Sequence, residues 1–177
     1  MTTIALIVEG IYDDAVYPVL LRRCRSGVSP VTRVCNGPVM GKFSSLVADL
    51  DRSRRPIEKV IVISDADGRK PEVLEREFKR RLVGTHRFNV VPIIVVEALE
   101  AWLIADPSAL KRTAGITSTH TNPEKVRQPK TELIRLLRRT TRYTPELARR
   151  IAEDVDLKIL EQRCPRFAGF RKAVLRR

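Results

Sequence analysis

The sequence predicts an α/β protein: a four-stranded parallel sheet in the order 2-1-3-4, helices on both of its faces, and a basic helical extension on the C-terminal side. The order is that of the common doubly wound arrangement, and three observations lead to the class. From Ile4 to Val96, short apolar runs alternate with segments whose apolar residues recur at helical spacing, the pattern of strands joined by crossovers. The runs are continuously apolar rather than alternating, as strands buried on both faces are. After Asp106 no convincing strand remains, and cations accumulate.

Ile4 to Val8 is the first strand. A helix from about Asp13 to Arg23 follows, with Ala15, Val16, Val19 and Leu20 on one face and acids in its first turn, where the helix dipole favours them. Val31 to Cys35 forms a shorter second strand closed by Asn36-Gly37-Pro38. Phe43, Leu46, Val47 and Leu50 mark a helix over 43–52, which leads to a third strand, Lys59 to Ser64. Pro71 suits a first helical turn and opens a helix over 71–82. Phe88 to Val96 is the fourth strand, and the residues after it, 97–106, carry Ala98, Ala101, Trp102 and Ile104 or Ala105 at helical spacing.

Asp106 then caps a short helix that starts at Pro107 and ends near Thr113. Residues 115–129 read as a loop. Helices over Thr131 to Arg139, Thr144 to Val155 and Asp156 to Gln162 follow, and Phe167 to Leu175 closes the fold. The expected division is a core over residues 1–106 and an extension over 107–177 packed on it.

Composition narrows the class. The chain has 177 residues, 43% of them apolar, enough for one globular domain with an appendage. No apolar run spans a bilayer and the start lacks a signal-peptide pattern, so the expectation is a cytoplasmic protein with no membrane partner. Cys24, Cys35 and Cys164 lie far apart, and only His86 and His120 accompany them, which argues against zinc and for reduced, buried thiols. The net charge is +13. Up to Asp106 there are 16 Lys and Arg against 14 Asp and Glu, and beyond it 18 against 7. That asymmetry points to an acidic partner, nucleic acid first.

The chemistry concentrates where strands end. In an open parallel sheet, ligands bind outside the carboxyl ends of the strands, beside the point where strand order reverses. The first strand ends in Glu9-Gly10, the third in Asp65-Ala66-Asp67-Gly68, and the fourth in Glu97, with Glu100 one turn later on what is expected to be a helix exterior. In the order 2-1-3-4 these ends are neighbours. Converging carboxylates raise one another's pKa, and a divalent cation relieves the repulsion. Hard oxygen donors without sulfur select Mg²⁺ or Mn²⁺. The metal ligands are therefore sought among Glu9, Asp13, Asp65, Asp67 and Glu97, and the catalytic groups among Glu9, Asp65 and Asp67. Taken singly, each aspartate has a plainer role as turn former, and Asp13 and Asp14 as first-turn acids. Lys42, Arg69 and Lys70 are the cations in reach of a phosphate. Trp102 reads as packing between the two parts.

"EGIYD" (Glu9 to Asp13) after one apolar strand and "DADG" (Asp65 to Gly68) after another resemble the Toprim domain of topoisomerases, primases, recombination-mediator proteins and overcoming-lysogenization-defect nucleases. "VEALEAWLIADP" resembles a group of small stand-alone bacterial Toprim-like proteins of unknown function. The resemblance covers about residues 3 to 107. It implies a Rossmannoid core and a Mg²⁺-dependent phosphotransfer site, in which Glu9 acts as general acid or base or metal ligand and Asp65 and Asp67 hold the metal. Asp13 and Glu97 are then the acids available to a second metal. The expected function is a metal-dependent nuclease or phosphodiesterase acting on DNA or RNA, and the alternative is a non-catalytic nucleic-acid-binding module or subunit. Tyr12, Tyr17 and Tyr143 lack the separate domain that presents a topoisomerase's nucleophile. The chain carries neither a primase's zinc module nor the ATPase of the nucleases, so activity is either autonomous or depends on a partner chain, an ATPase or a second copy.

Overall fold

β1 (Thr2–Val8) and β3 (Ile57–Asp65) form the centre of a parallel sheet of order β2-β1-β3-β4, with β2 (Val28–Val34) and β4 (Asn89–Val95) at its edges. The computed structural model describes residues 2–82 and 84–176. Ala5 stands opposite Val31 on one side and Val60 on the other, and Asp65 opposite Val95, so the carboxyl ends of β1, β3 and β4 open along one edge. The expected strand order is the observed one. Both edge strands contain a proline, Pro30 and Pro92, which an edge tolerates because one side of the strand needs no ladder donor. Pro30 is why the sequence suggests a strand shorter than the seven residues β2 has.

The two faces of the central strands are separated by side-chain alternation. Ile4, Leu6, Val8, Ile61 and Ile63 point to one side, and Ala5, Ile7, Val60 and Val62 to the other. The second side is covered by α2 (Phe43–Arg52) and α3 (Pro71–Arg81), whose Phe43 and Phe78 stack with centroids 4.1 Å apart. The first side takes α1 (Ile11–Cys24) and all the helices beyond β4: α4 (Glu100–Leu103), α5 (Pro107–Ala114), α6 (Pro129–Leu137), α7 (Pro145–Asp154), α8 (Leu157–Arg163) and α9 (Pro165–Leu175). Trp102 lies at the junction, fully buried, edge-on to Tyr17 and Phe167 and tilted against Phe170. Its Nε1 donates to Glu124 Oε1 at 3.0 Å, which fixes the short 3₁₀ turn Pro123–Lys125 beneath α9. One apolar core thus runs from β1 to α9.

The cap expected at Asp106 is present. Asp106, 1% exposed, accepts from Ser108 N and Ala109 N through Oδ1, and its Oδ2 accepts from Asp156 N at 2.9 Å. It therefore caps α5 and ties it to the start of α8. Thr144 and Asp156 cap α7 and α8 through Leu147 N and Lys158 N. The segment after β4 departs from the expected helix over 97–106. Glu97 adopts φ +59, which helical backbone excludes, and regular helix is confined to Glu100–Leu103. Cys35 and Cys164 are buried and Cys24 half-buried, all three as free thiols. Among the described residues no helix is long and apolar enough to cross a membrane.

Candidate functional site

A cleft of about 620 Å³ opens at the carboxyl ends of β1, β3 and β4. Glu9, Asp13, Asp65, Asp67, Glu97 and Glu100 line it, and its opposite wall is built by Arg127, Gln128, Lys130 and Thr131 at the start of α6. All five carboxylates expected from the sequence to hold a metal face this cleft. Among the described residues none of the six forms an ion pair, although the rest of the surface holds many.

Each acid is placed by a specific local feature. Glu9 follows β1 and accepts from Ser64 Oγ at 2.8 Å through Oε1. Burial pushes its carboxyl above the usual range, against the pull of Ser64 and of the Val39 and Asp65 backbone N–H groups, and the Asp67 charge adds to the rise. Asp13 is the third residue of α1 and accepts from Gly10 N at 2.9 Å through Oδ2, one half of a capping box. It is 9% exposed, and burial lifts its pKa to about 6, helped by the charges of Glu9 and Glu100 and opposed by the Gly10 bond. Asp65, the last residue of β3, keeps an opening to the cleft yet is closely surrounded by protein. Burial, followed by Asp13, Glu9, Glu100 and Asp67, moves its carboxyl well above the ordinary range.

Asp67 and Glu97 both adopt left-handed backbone, with φ +47 and +59, and Asp67 N reaches Glu97 O at 3.4 Å. Gly68 continues the turn at φ +77, as D-x-D-G suggests. Gln128, on the opposite wall, is also left-handed at φ +52. Of the four non-glycine residues at positive φ among those described, three line the cleft; the fourth, Asn36, follows β2. Such conformations cost on the order of 1–3 kcal/mol and concentrate where a chain is bent for function.

Glu100 corrects the sequence reading. It is 4% exposed rather than on a helix exterior, because α4 is buried on every side, and Tyr143 Oη donates to its Oε1 at 2.9 Å. Burial and the Glu100 charge push the Tyr143 phenol far up, so it stays a donor. Tyr17 lies beneath the cluster, fully buried, with no hydrogen-bond partner for its hydroxyl among the described residues. Its phenol is raised by burial and then by the charges of Asp13, Asp65, Glu100 and Glu9.

The cations selected from the sequence are placed elsewhere. Lys42 donates from Nζ to the Cys35 carbonyl at 2.8 Å, tying the start of α2 to the end of β2. Arg69 pairs with Glu77 of α3 at 3.0 Å, and Lys70 is an exposed residue preceding α3. None of the three lines the cleft; Arg127 and Lys130 do, and both are exposed. Lys130 Nζ sits 4.4 Å from the centre of the Tyr12 ring, which stacks on Tyr143 at 4.8 Å. These two cations fall at the end of the weakly patterned loop, where no periodicity singles them out. Glu100 had a signal: it is the one charged residue in an apolar run from Ala98 to Ala105.

The donor set suits a hard cation, since it offers carboxylate oxygen only and, among the described residues, none of its charge is taken up in an ion pair. It is not a closed coordination shell. Among the described residues no three Asp, Glu, His or Cys side chains converge closely enough to share an ion. Mg²⁺ keeps several waters and takes as few as one or two carboxylates, so a partly assembled set of this kind fits it better than a cation requiring an all-protein cage.

Residues 10–175 match the model of a domain of unknown function, DUF4276, and the chain belongs to that family. No curated protein and no solved structure matches it.

Proposed function

We propose that this member of the DUF4276 family is a Toprim-like phosphodiesterase that depends on Mg²⁺ or Mn²⁺ and acts on DNA or RNA. The observation that carries this reading is the convergence of six carboxylates, none ion-paired among the described residues, on one cleft whose far wall is cationic. Asp65 and Asp67 would hold the cation, with Asp13, Glu97 and Glu100 completing its surroundings. When bound, the cation supplies Lewis-acid stabilisation of a phosphoryl oxygen and lowers the pKa of a water.

The chain's own groups have separable tasks. Ser64 and the Val39 and Asp65 backbone N–H groups fix the Glu9 carboxyl in place, and its raised pKa makes it a stronger base toward an attacking water than an exposed glutamate. Tyr143 orients Glu100 from below. Arg127 and Lys130 are set to receive the negative charge of a phosphate.

The test pairs calorimetric titration of Mn²⁺ and Mg²⁺ with cleavage of a panel of single- and double-stranded DNA and RNA. Cation uptake that is lost in Asp65→Asn, with cleavage lost in parallel, supports the proposal; no uptake by the wild type removes it. The open coordination set favours a second reading, a binding module that lacks chemistry of its own. Nucleic-acid binding with no cleavage at any divalent concentration would decide for that reading.

A further inference from the structure

Beside the acidic cleft runs a second depression of about 700 Å³, whose lining includes Thr131, Arg138, Arg139, Arg142 and Tyr143. It is formed by the exposed side of α6 and the loop joining α6 to α7. The two depressions meet: Thr131 lines both, and Tyr143 lines this one while its hydroxyl bonds Glu100 in the other. The Tyr12–Tyr143 stack, with Lys130 over it, forms the partition between them.

The charge here is distinctive. Residues 127–142 contain six Lys and Arg and one acid, Glu132, which is engaged by Arg135 and His120. Arg127, Lys130, Arg138, Arg139 and Arg142 are all exposed, and among the described residues none has a carboxylate partner. Four other arginines of the C-terminal half are spent on ion pairs: Arg112 with Asp154, Arg149 with Glu146 and Glu153, Arg166 with Glu72 and Glu75, and Arg171 with Glu161. One cation after α6 would suit the negative end of that helix. Three arginines within five residues, continued by Lys130 and Arg127 to the rim of the cleft, exceed that need. The loop is also held in shape, since Thr140 N and Thr141 N both donate to the Leu137 carbonyl, at 2.8 and 3.1 Å.

The geometry points to a phosphodiester track: the groove after α6 holds successive phosphates of a nucleic-acid strand and leads that strand over Lys130 and Arg127 into the acidic cleft. This rests on the phosphodiester reading of the cleft and adds to it where the strand is gripped, outside the reacting phosphate, and the path by which it enters. An acidic protein would satisfy the cations but has no use for the acidic cleft into which the groove opens.

The experiment measures binding of fluorescent single-stranded DNA, duplex DNA and RNA in EDTA, so that neither metal nor turnover enters. With five phosphate contacts, affinity should fall roughly 100- to 500-fold between about 50 and 200 mM salt. The variant Arg138→Gln/Arg139→Gln/Arg142→Gln leaves two contacts, and its loss over the same range should shrink to roughly tenfold. These side chains are exposed, and an unchanged melting temperature verifies that the variant folds. The comparison variant Arg76→Gln/Lys79→Gln/Arg80→Gln, on the exposed face of α3, should keep the wild-type salt response. The track is overturned if the groove variant keeps that response, if the α3 variant loses it, or if polyglutamate competes as well as nucleic acid. Mn²⁺ uptake is read separately: uptake without salt-dependent binding removes the track and leaves the metal centre, whereas Asp65→Asn should lose uptake and retain binding.

Discussion

Replacing Asp13 by asparagine should stabilise the protein when no divalent cation is present. The Asp13 carboxyl has a pKa of about 6 in the fold against 3.8 in its absence, so the folded protein holds this proton more tightly than the unfolded chain does. Between those values the native state binds more protons, and stability therefore falls as pH rises; above about 6 the full penalty applies, and below 3.8 none. A gap of about two units corresponds to roughly 3 kcal/mol. Glu9 and Asp65 are shifted in the same direction and add to the slope, the cluster titrating as a unit. The carboxylates with lowered values act oppositely. Glu132, held down to about 2 by Arg135 and His120, makes its change below pH 4.5, outside the window.

Asparagine keeps an Oδ1 that can accept the Gly10 N–H and carries no charge to desolvate. In EDTA at pH 7.5 the variant should gain roughly 2–3 kcal/mol, or about 5–10 °C in melting temperature for a chain of this size. At pH 4.5 the difference should shrink to under about 1 kcal/mol. Urea unfolding in EDTA across this range measures both. The reasoning is refuted if wild-type stability is flat or rises between pH 4.5 and 6.5, or if the variant is the less stable protein at pH 7.5.

Two further substitutions separate support from chemistry. Tyr143→Phe deletes the donor to the buried Glu100 carboxylate and should destabilise by about 1–3 kcal/mol, visible as a lowered melting temperature at neutral pH; no change would mean that water replaces the phenol. Asp67→Gly relieves a left-handed backbone and removes one of the facing charges, so stability should rise by roughly 1 kcal/mol while Mn²⁺ affinity falls, a combination that a purely structural turn residue would not give.

The central strands were legible because burial on both faces leaves little but β-branched and aliphatic residues, and the D-x-D-G turn because aspartate and glycine are the residues that accept its backbone. The edge strand β2 was partly hidden by Pro30, which would disqualify a central strand but not an edge. The acids after β1, β3 and β4 could be brought together on paper because strand order fixes which ends are neighbours. The cations could not. Arg69 and Lys70 follow the acids in sequence and Lys42 follows Gly41 at a helix start, but their charges are taken by Glu77, by solvent and by a carbonyl, while the cations facing the cleft come from residues 127–130, joined to it only by tertiary packing. Glu100 and Tyr143, 43 residues apart, form a pair for which the sequence carries no marker.

The arrangement of charge across the cleft bears on whether the site is structural. Six carboxylates and two cations line one cavity, and simple stabilisation would bring them together as ion pairs. The same chain does that elsewhere: Arg166 reaches from α9 to both Glu72 and Glu75, fastening α9 to α3. In the cleft the opposite signs stay apart, with Lys130 drawn over the Tyr12 ring rather than onto an acid. Like charges are left facing one another at a cost visible in the raised carboxyls of Asp13 and Asp65, and three residues around them hold left-handed backbone. A ligand that presents a cation to one wall and an anion to the other would relieve both walls together, and a metal-bound phosphate has that pair of charges.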